Sequence, residues 1–152
     1  MSQVELRLKE LGFELPQAPA PVAAYVGAVR TGNLVFVSGQ GPSKDGKTIK
    51  GRVGSDLTLE QGYEAAQLCA LNALAQVKAV VGSLDNVVRV VKLLGWVNSA
   101  PDFDQQPFVI NGASELLLKV FGEKGKHARS AVSAHVLPFN IAVEVEMVVE
   151  VV

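Results

Sequence analysis

Arg129 and the glutamates that follow it, Glu144, Glu146 and Glu150, are the residues of this chain whose types and spacing could do chemistry. An arginine is a planar five-donor cation suited to gripping a carboxylate in a two-pronged fork. A carboxylate nearby can move protons as a general acid or base. All four fall in a C-terminal stretch that alternates as strands do, over 128–136 and 141–152. Leu137-Pro138-Phe139-Asn140 between them reads as the turn of a hairpin. Val143, Val145, Met147, Val149 and Val151 fall on one face of the second strand and the glutamates on the other. Such a polar face is either a binding site or a wetted sheet surface, and spacing alone leaves both open; Glu146 and Glu150 are read as surface residues. Cys69 lies in an apolar helical stripe, where a buried structural thiol is expected rather than a reactive one. His127 and His135 fall beside a loop and a strand end, where solvated side chains are the default.

Those residues need a scaffold, and 152 residues are enough to bury a core as one domain over 1–152, with 1–18 as an N-terminal extension. Hydrophobic residues make up 49% and charged residues 19%, with mean hydropathy +0.27, which predicts extra apolar surface buried between subunits. The net charge of −1 and the lack of a basic run leave nucleic-acid binding without its usual footprint. A single cysteine excludes an intrachain disulfide and fits a reducing, cytoplasmic setting. Glu5, Arg7, Lys9 and Glu10 interrupt any signal peptide, and no stretch is long and apolar enough to span a membrane. No metal-ligand cluster and no Gly-rich phosphate loop are present, so neither a metal nor a nucleotide cofactor is expected.

Ser2-Gln3-Val4-Glu5 has capping-box spacing and opens a short helix that Gly12 is placed to end. Pro16, Pro19 and Pro21 make an extended connector. Segments 22–29 and 34–38 read as strands joined by Arg30-Thr31-Gly32-Asn33, and Gly39-Gln40-Gly41-Pro42 breaks the second. The polar run 43–56 reads as a solvated loop, with room for a short edge strand, and Asp45-Gly46 marks a turn in it. Thr58-Leu59-Glu60-Gln61 is a second capping-box spacing and predicts a helix over 59–81, stopped by Gly82. The Val/Leu run 87–97 reads as a central strand, with Trp96 filling core or interface. Pro107 suits a first helical turn, so a second long helix is predicted over 108–121, ended by Gly122. The order predicts an α+β sandwich, one mainly antiparallel sheet with two long helices on one face. The other face is expected to pack against copies of the chain in a closed ring.

Two motifs in this order, Val35-Phe36-Val37-Ser38-Gly39-Gln40-x-Pro42 and Ala128-Arg129-Ser130-x-Val132 followed by Leu137-Pro138 and Val143-Glu144-Val145-Glu146, resemble the Rid/YjgF family. These are reactive-intermediate deaminases, also known as L-PSP endoribonucleases or translation inhibitors. The resemblance runs from about residue 19 to the C-terminus. It implies a chorismate-mutase-like fold, a homotrimer, sites in clefts between subunits and no cofactor. It implies hydrolysis of small enamines and imines such as 2-aminoacrylate to 2-keto acids and ammonia. The family's carboxylate-gripping arginine falls on Arg129 and its water-directing glutamate on Glu144. Its substrate-contacting tyrosine, serine and asparagine fall on Tyr25, Ser38 and Asn111, with backbone groups at Gly39 and Ala131. Many relatives carry a cysteine where this chain has Ala131, so thiol chemistry is excluded there.

In a simple terminal hairpin Glu144 would sit opposite about Ser133, roughly 13 Å from Arg129, which is too far for one small substrate. The two are therefore expected to meet across a subunit boundary. A trimeric protein that binds small carboxylate metabolites without turnover would use the same arginine, and the family's endoribonuclease label gives a third reading. The acidic balance and the lack of stacking aromatics argue against that third reading.

Overall fold

A computed structural model describes all 152 residues. The long helices begin and end where their caps dictate. Helix α2 (Leu59–Val81) opens on a complete capping box: Gln61 N donates to Thr58 Oγ1 and Thr58 N donates to Gln61 Oε1. Gly82 stops it at φ 84. Helix α3 (Gln106–Phe121) carries Pro107 in its first turn and ends at Gly122 with φ 62. It begins two residues earlier than the predicted 108. The short α1 (Gln3–Glu10) is capped by Ser2 Oγ and buries Val4 and Leu8 in the common core. α2 and α3 meet at backbone contact: a Cβ on Gly112 would lie 2.1 Å from the Tyr63 carbonyl oxygen.

Beneath the helices lies a five-stranded sheet. Its strands are β1 (Ala28–Thr31), β2 (Leu34–Gln40), β5 (Val87–Asn98), β6 (Ala128–Ala134) and β7 (Val143–Val151). They run in the order β1-β2-β7-β5-β6, with β5–β6 parallel and the other pairs antiparallel. β3 (Ser43–Lys44) and β4 (Lys47–Thr48) form a separate ribbon turned by Asp45 and Gly46, both at positive φ. Every second strand residue is buried on the same side, Val35, Leu93, Val145 and Val149 among them, so the helices cover one face and leave the other open. No helix is long and apolar enough to cross a membrane.

Three predicted details differ. The terminal hairpin does not form: β5 lies between β6 and β7 and pairs with both. Its long Val/Leu run takes a central place with a neighbour on each side, and the α3 crossover returns the chain parallel to it. The connection from Leu137 through the 3-10 turn Pro138–Asn140, with Phe139 and Asn140 at positive φ, then steps over β5 to reach β7. Secondly, the predicted strand over 22–29 is reduced to β1, paired with β2 from Ala28, and Gly32-Asn33 alone forms the turn. Residues 22–25 bend instead, following the prolines that lack an N–H for a ladder. Thirdly, β2 is not broken at Gly39 but runs to Gln40 through a register shift between Val37 and Gln40.

Candidate functional site

Arg129 stands on the edge strand β6, level with Leu93 of β5. Leu93 is fully buried under the helices, so Arg129 lies on the helix-covered face, beside α3. Asn111 and Ser114, three residues apart and hence on one side of α3, both reach it. Arg129 NH1 donates to Asn111 Oδ1 at 2.8 Å and to Ser114 Oγ at 3.2 Å. That uses both NH1 hydrogens. Nε and NH2 donate to nothing within the chain, and they form one edge of the fork that a carboxylate fits. Asn111, which a bland reading leaves as a helix-surface residue, is therefore an anchor of the guanidinium.

His127 was expected to be a solvated side chain; it is half-buried, with both ring nitrogens partnered within the chain. Its Nδ1 lies 2.6 Å from the Gly125 carbonyl oxygen and its Nε2 lies 2.9 Å from Ser114 Oγ. The sequence marked neither Ser114 nor His127 as a site residue. His127 lies just before β6 and Arg129 within it, and both reach Ser114, a signal legible only once β6 is known to lie beside α3. His135 is exposed, as expected.

Glu144 stands on β7 level with Trp96, on the open face of the sheet. Its half-buried carboxylate rests against Gly39, where a Cβ would lie 2.8 Å from the carboxylate carbon. Gly39 thus makes room for Glu144. Burial raises the Glu144 pKa, and Glu146 two residues along the same face adds to the effect. Glu144 lines a cleft of about 580 Å³ together with Tyr25, Gly39, Gln40, Gln76 and Phe139. Gln76 Nε2 donates to the Pro19 carbonyl oxygen at 2.7 Å, which fixes the proline segment as one wall. Ser38 lies just outside this lining. Its hydroxyl donates to the Val26 carbonyl oxygen at 2.7 Å and so ties down the segment that carries Tyr25. Ala131 pairs with Gly95 and turns its methyl to the core. Cys69 is fully buried, with Sγ 3.4 Å from the Val143 carbonyl oxygen, and burial pushes its thiol pKa up, with the Glu144 charge adding to the effect.

The structure therefore brings Tyr25, Gly39 and Glu144 together, and separately Arg129 and Asn111. Arg129 does not line the 580 Å³ cleft. Within one chain Arg129 and Glu144 are two strands and three residues apart, about 14 Å, and on opposite faces of the sheet. The roughly 13 Å expected from a hairpin keeps its size, but the strand between them and the opposed faces are new.

Residues 5–151 match a family model described as "YjgF/chorismate_mutase-like, putative endoribonuclease". The chain is 49% identical over 150 residues to Protein TCP17 of Trypanosoma cruzi, covering 97% of this chain and 94% of that one. It is 28% identical over 134 residues to a 2-iminobutanoate/2-iminopropanoate deaminase of Dermatophagoides farinae, covering 88% and 91%. Among solved structures, Atu1372 of Agrobacterium tumefaciens superposes with a TM-score of 0.92 at 50% identity, over 98% of this chain and 93% of that one.

Proposed function

The chain belongs to the YjgF/chorismate-mutase-like family, and from that premise we propose that it hydrolyses small enamines and imines of 2-keto acids, 2-aminoacrylate and its imine tautomer among them. The observation that carries this reading is the guanidinium of Arg129, held through NH1 alone with its Nε–NH2 edge free to fork a carboxylate. Glu144 supplies the second requirement. A carboxyl whose pKa is raised by burial is a better proton acceptor than an ordinary glutamate, and it still gives the proton back.

The reaction needs little more. Glu144 takes a proton from water as the oxygen adds to the carbon of the protonated imine, and the C=N π pair becomes the lone pair of a neutral amine. Glu144 returns that proton to the nitrogen, the C–N bond breaks, and the hydroxyl proton passes to the departing ammonia as the C=O bond forms, leaving a 2-keto acid and ammonium. A positioned base of this kind supplies about a hundredfold to ten-thousandfold. Because the two groups lie on opposite faces of one sheet, the working site joins Arg129 of one subunit to Glu144 of the next. The half-exposed Val29, Phe36 and Val132 on the open face give the ring of three copies an apolar contact.

The test is ammonia release from 2-aminoacrylate generated in situ, with pyruvate affinity measured by calorimetry. Arg129→Ala is expected to lose both turnover and pyruvate binding while remaining folded. Glu144→Gln is expected to keep the affinity and lose at least a hundredfold in kcat. Equal rates for the wild type and Arg129→Ala overturn the deaminase reading. Tight pyruvate binding with no turnover by the wild type favours the metabolite-binding protein instead.

A further inference from the structure

The geometry points to Ser114 and His127 as positioning residues that orient Arg129 for the substrate carboxylate, with His127 held as the neutral tautomer that carries its proton on Nδ1. This rests on the reading of Arg129 given above. The two ends of the chain of contacts fix two of the hydrogen bonds, and the neutral tautomer fixes the third. A guanidinium only donates, so Ser114 Oγ must accept from Arg129 NH1 at 3.2 Å. A backbone carbonyl only accepts, so His127 Nδ1 must donate to Gly125 O at 2.6 Å. A neutral imidazole with its hydrogen on Nδ1 has a bare Nε2, and the Ser114 hydroxyl then donates to it at 2.9 Å. Arg129, Ser114, His127 and Gly125 thus form one run of donors and acceptors with no group left over.

The run is anchored in rigid parts of the fold. Ser114 is buried on α3. A Cβ on Gly125 would lie 2.4 Å from the Leu117 carbonyl oxygen, so the backbone that ends the run is pressed against α3. Asn111 alone would leave the guanidinium free to pivot about a single bond. Asn111 and Ser114 together fix NH1 at two points and so fix the direction of the free Nε–NH2 edge. Fixing that direction before binding removes an ordering cost that would otherwise weaken the complex.

The experiment uses the full chain and two readouts. In ¹⁵N NMR of the histidine rings near neutral pH, His127 is expected as the Nδ1–H tautomer, with an Nε2 resonance that moves in Ser114→Ala. In steady-state kinetics on 2-aminoacrylate, Ser114→Ala and His127→Phe are each expected to raise KM about tenfold with a much smaller change in kcat. His127→Gln, whose amide oxygen can accept from Ser114, is expected to recover most of the loss. Finding His127 as the Nε2–H tautomer or protonated overturns the wiring, and so does an unchanged kcat/KM in both loss variants. If the wild type neither turns over nor binds pyruvate, the deaminase reading fails, while the tautomer and its response to Ser114→Ala still decide the wiring.

Discussion

Glu144 is a residue whose burial costs stability once it is ionised. Its carboxyl pKa is raised in the folded chain, first by burial and then by Glu146. The folded state therefore binds that proton more tightly than the unfolded chain does, and the resulting stabilisation is fully present below the ordinary glutamate range. It is lost as pH rises through the raised value, because the ionised group then sits where charge is poorly solvated. Glu144→Gln is expected to be slightly more stable than the wild type at pH 7, by a few tenths of a kcal/mol after solvent screening, and indistinguishable from it at pH 4. Urea midpoints at the two pH values check this, and a variant less stable at pH 7 would contradict it. At this scale the motifs marked Arg129 and Glu144 as candidates from their surroundings in the chain. Ser114 and His127 were not marked, because a histidine at a strand entry and a serine on a helix look solvated until the strand is laid against the helix.

At the scale of elements the local rules served well wherever the signal lay within one turn. The capping box at Thr58 and the stop at Gly82 bound α2 as the spacing predicted, and Gly122 ended α3. What those rules miss is how closely two helices approach. Gly112 lets α3 lie against the backbone of α2, since a Cβ there would sit 2.1 Å from the Tyr63 carbonyl oxygen. Gly112→Ala would raise helix propensity by about 1 kcal/mol in an isolated helix. Here it is expected to destabilise the protein instead, by about 2 kcal/mol, because the helices must part or the backbone must shift. Thermal or urea denaturation checks the sign, and a stabilised variant would show that the approach is looser than described. Because α3 also carries Asn111 and Ser114, the same variant is expected to weaken the grip on Arg129.

The whole molecule decides whether the site exists at all. Arg129 and Glu144 lie on opposite faces of one sheet, so under the function proposed above a lone chain holds two half-sites that a neighbouring copy would complete. Phe36→Asp, on the open face away from both half-sites, is expected to yield a folded monomer with deaminase activity reduced to background. Sedimentation and ammonia release measured on the same sample test this, and a fully active monomer would place both groups in one chain after all. By itself the sequence determined the helices, the alternation of the strands, the α+β class and the motifs that mark the family. Those features are written in spacings of two to four residues and in caps that close within one turn. Tertiary structure decided the strand order, the insertion of β5 into the expected hairpin and the meeting of Arg129 with Asn111, Ser114 and, through Ser114, His127. Strand pairing is a competition among distant partners for the same backbone donors and acceptors. The apolar run of β5 won two of them, an outcome that no local pattern encodes.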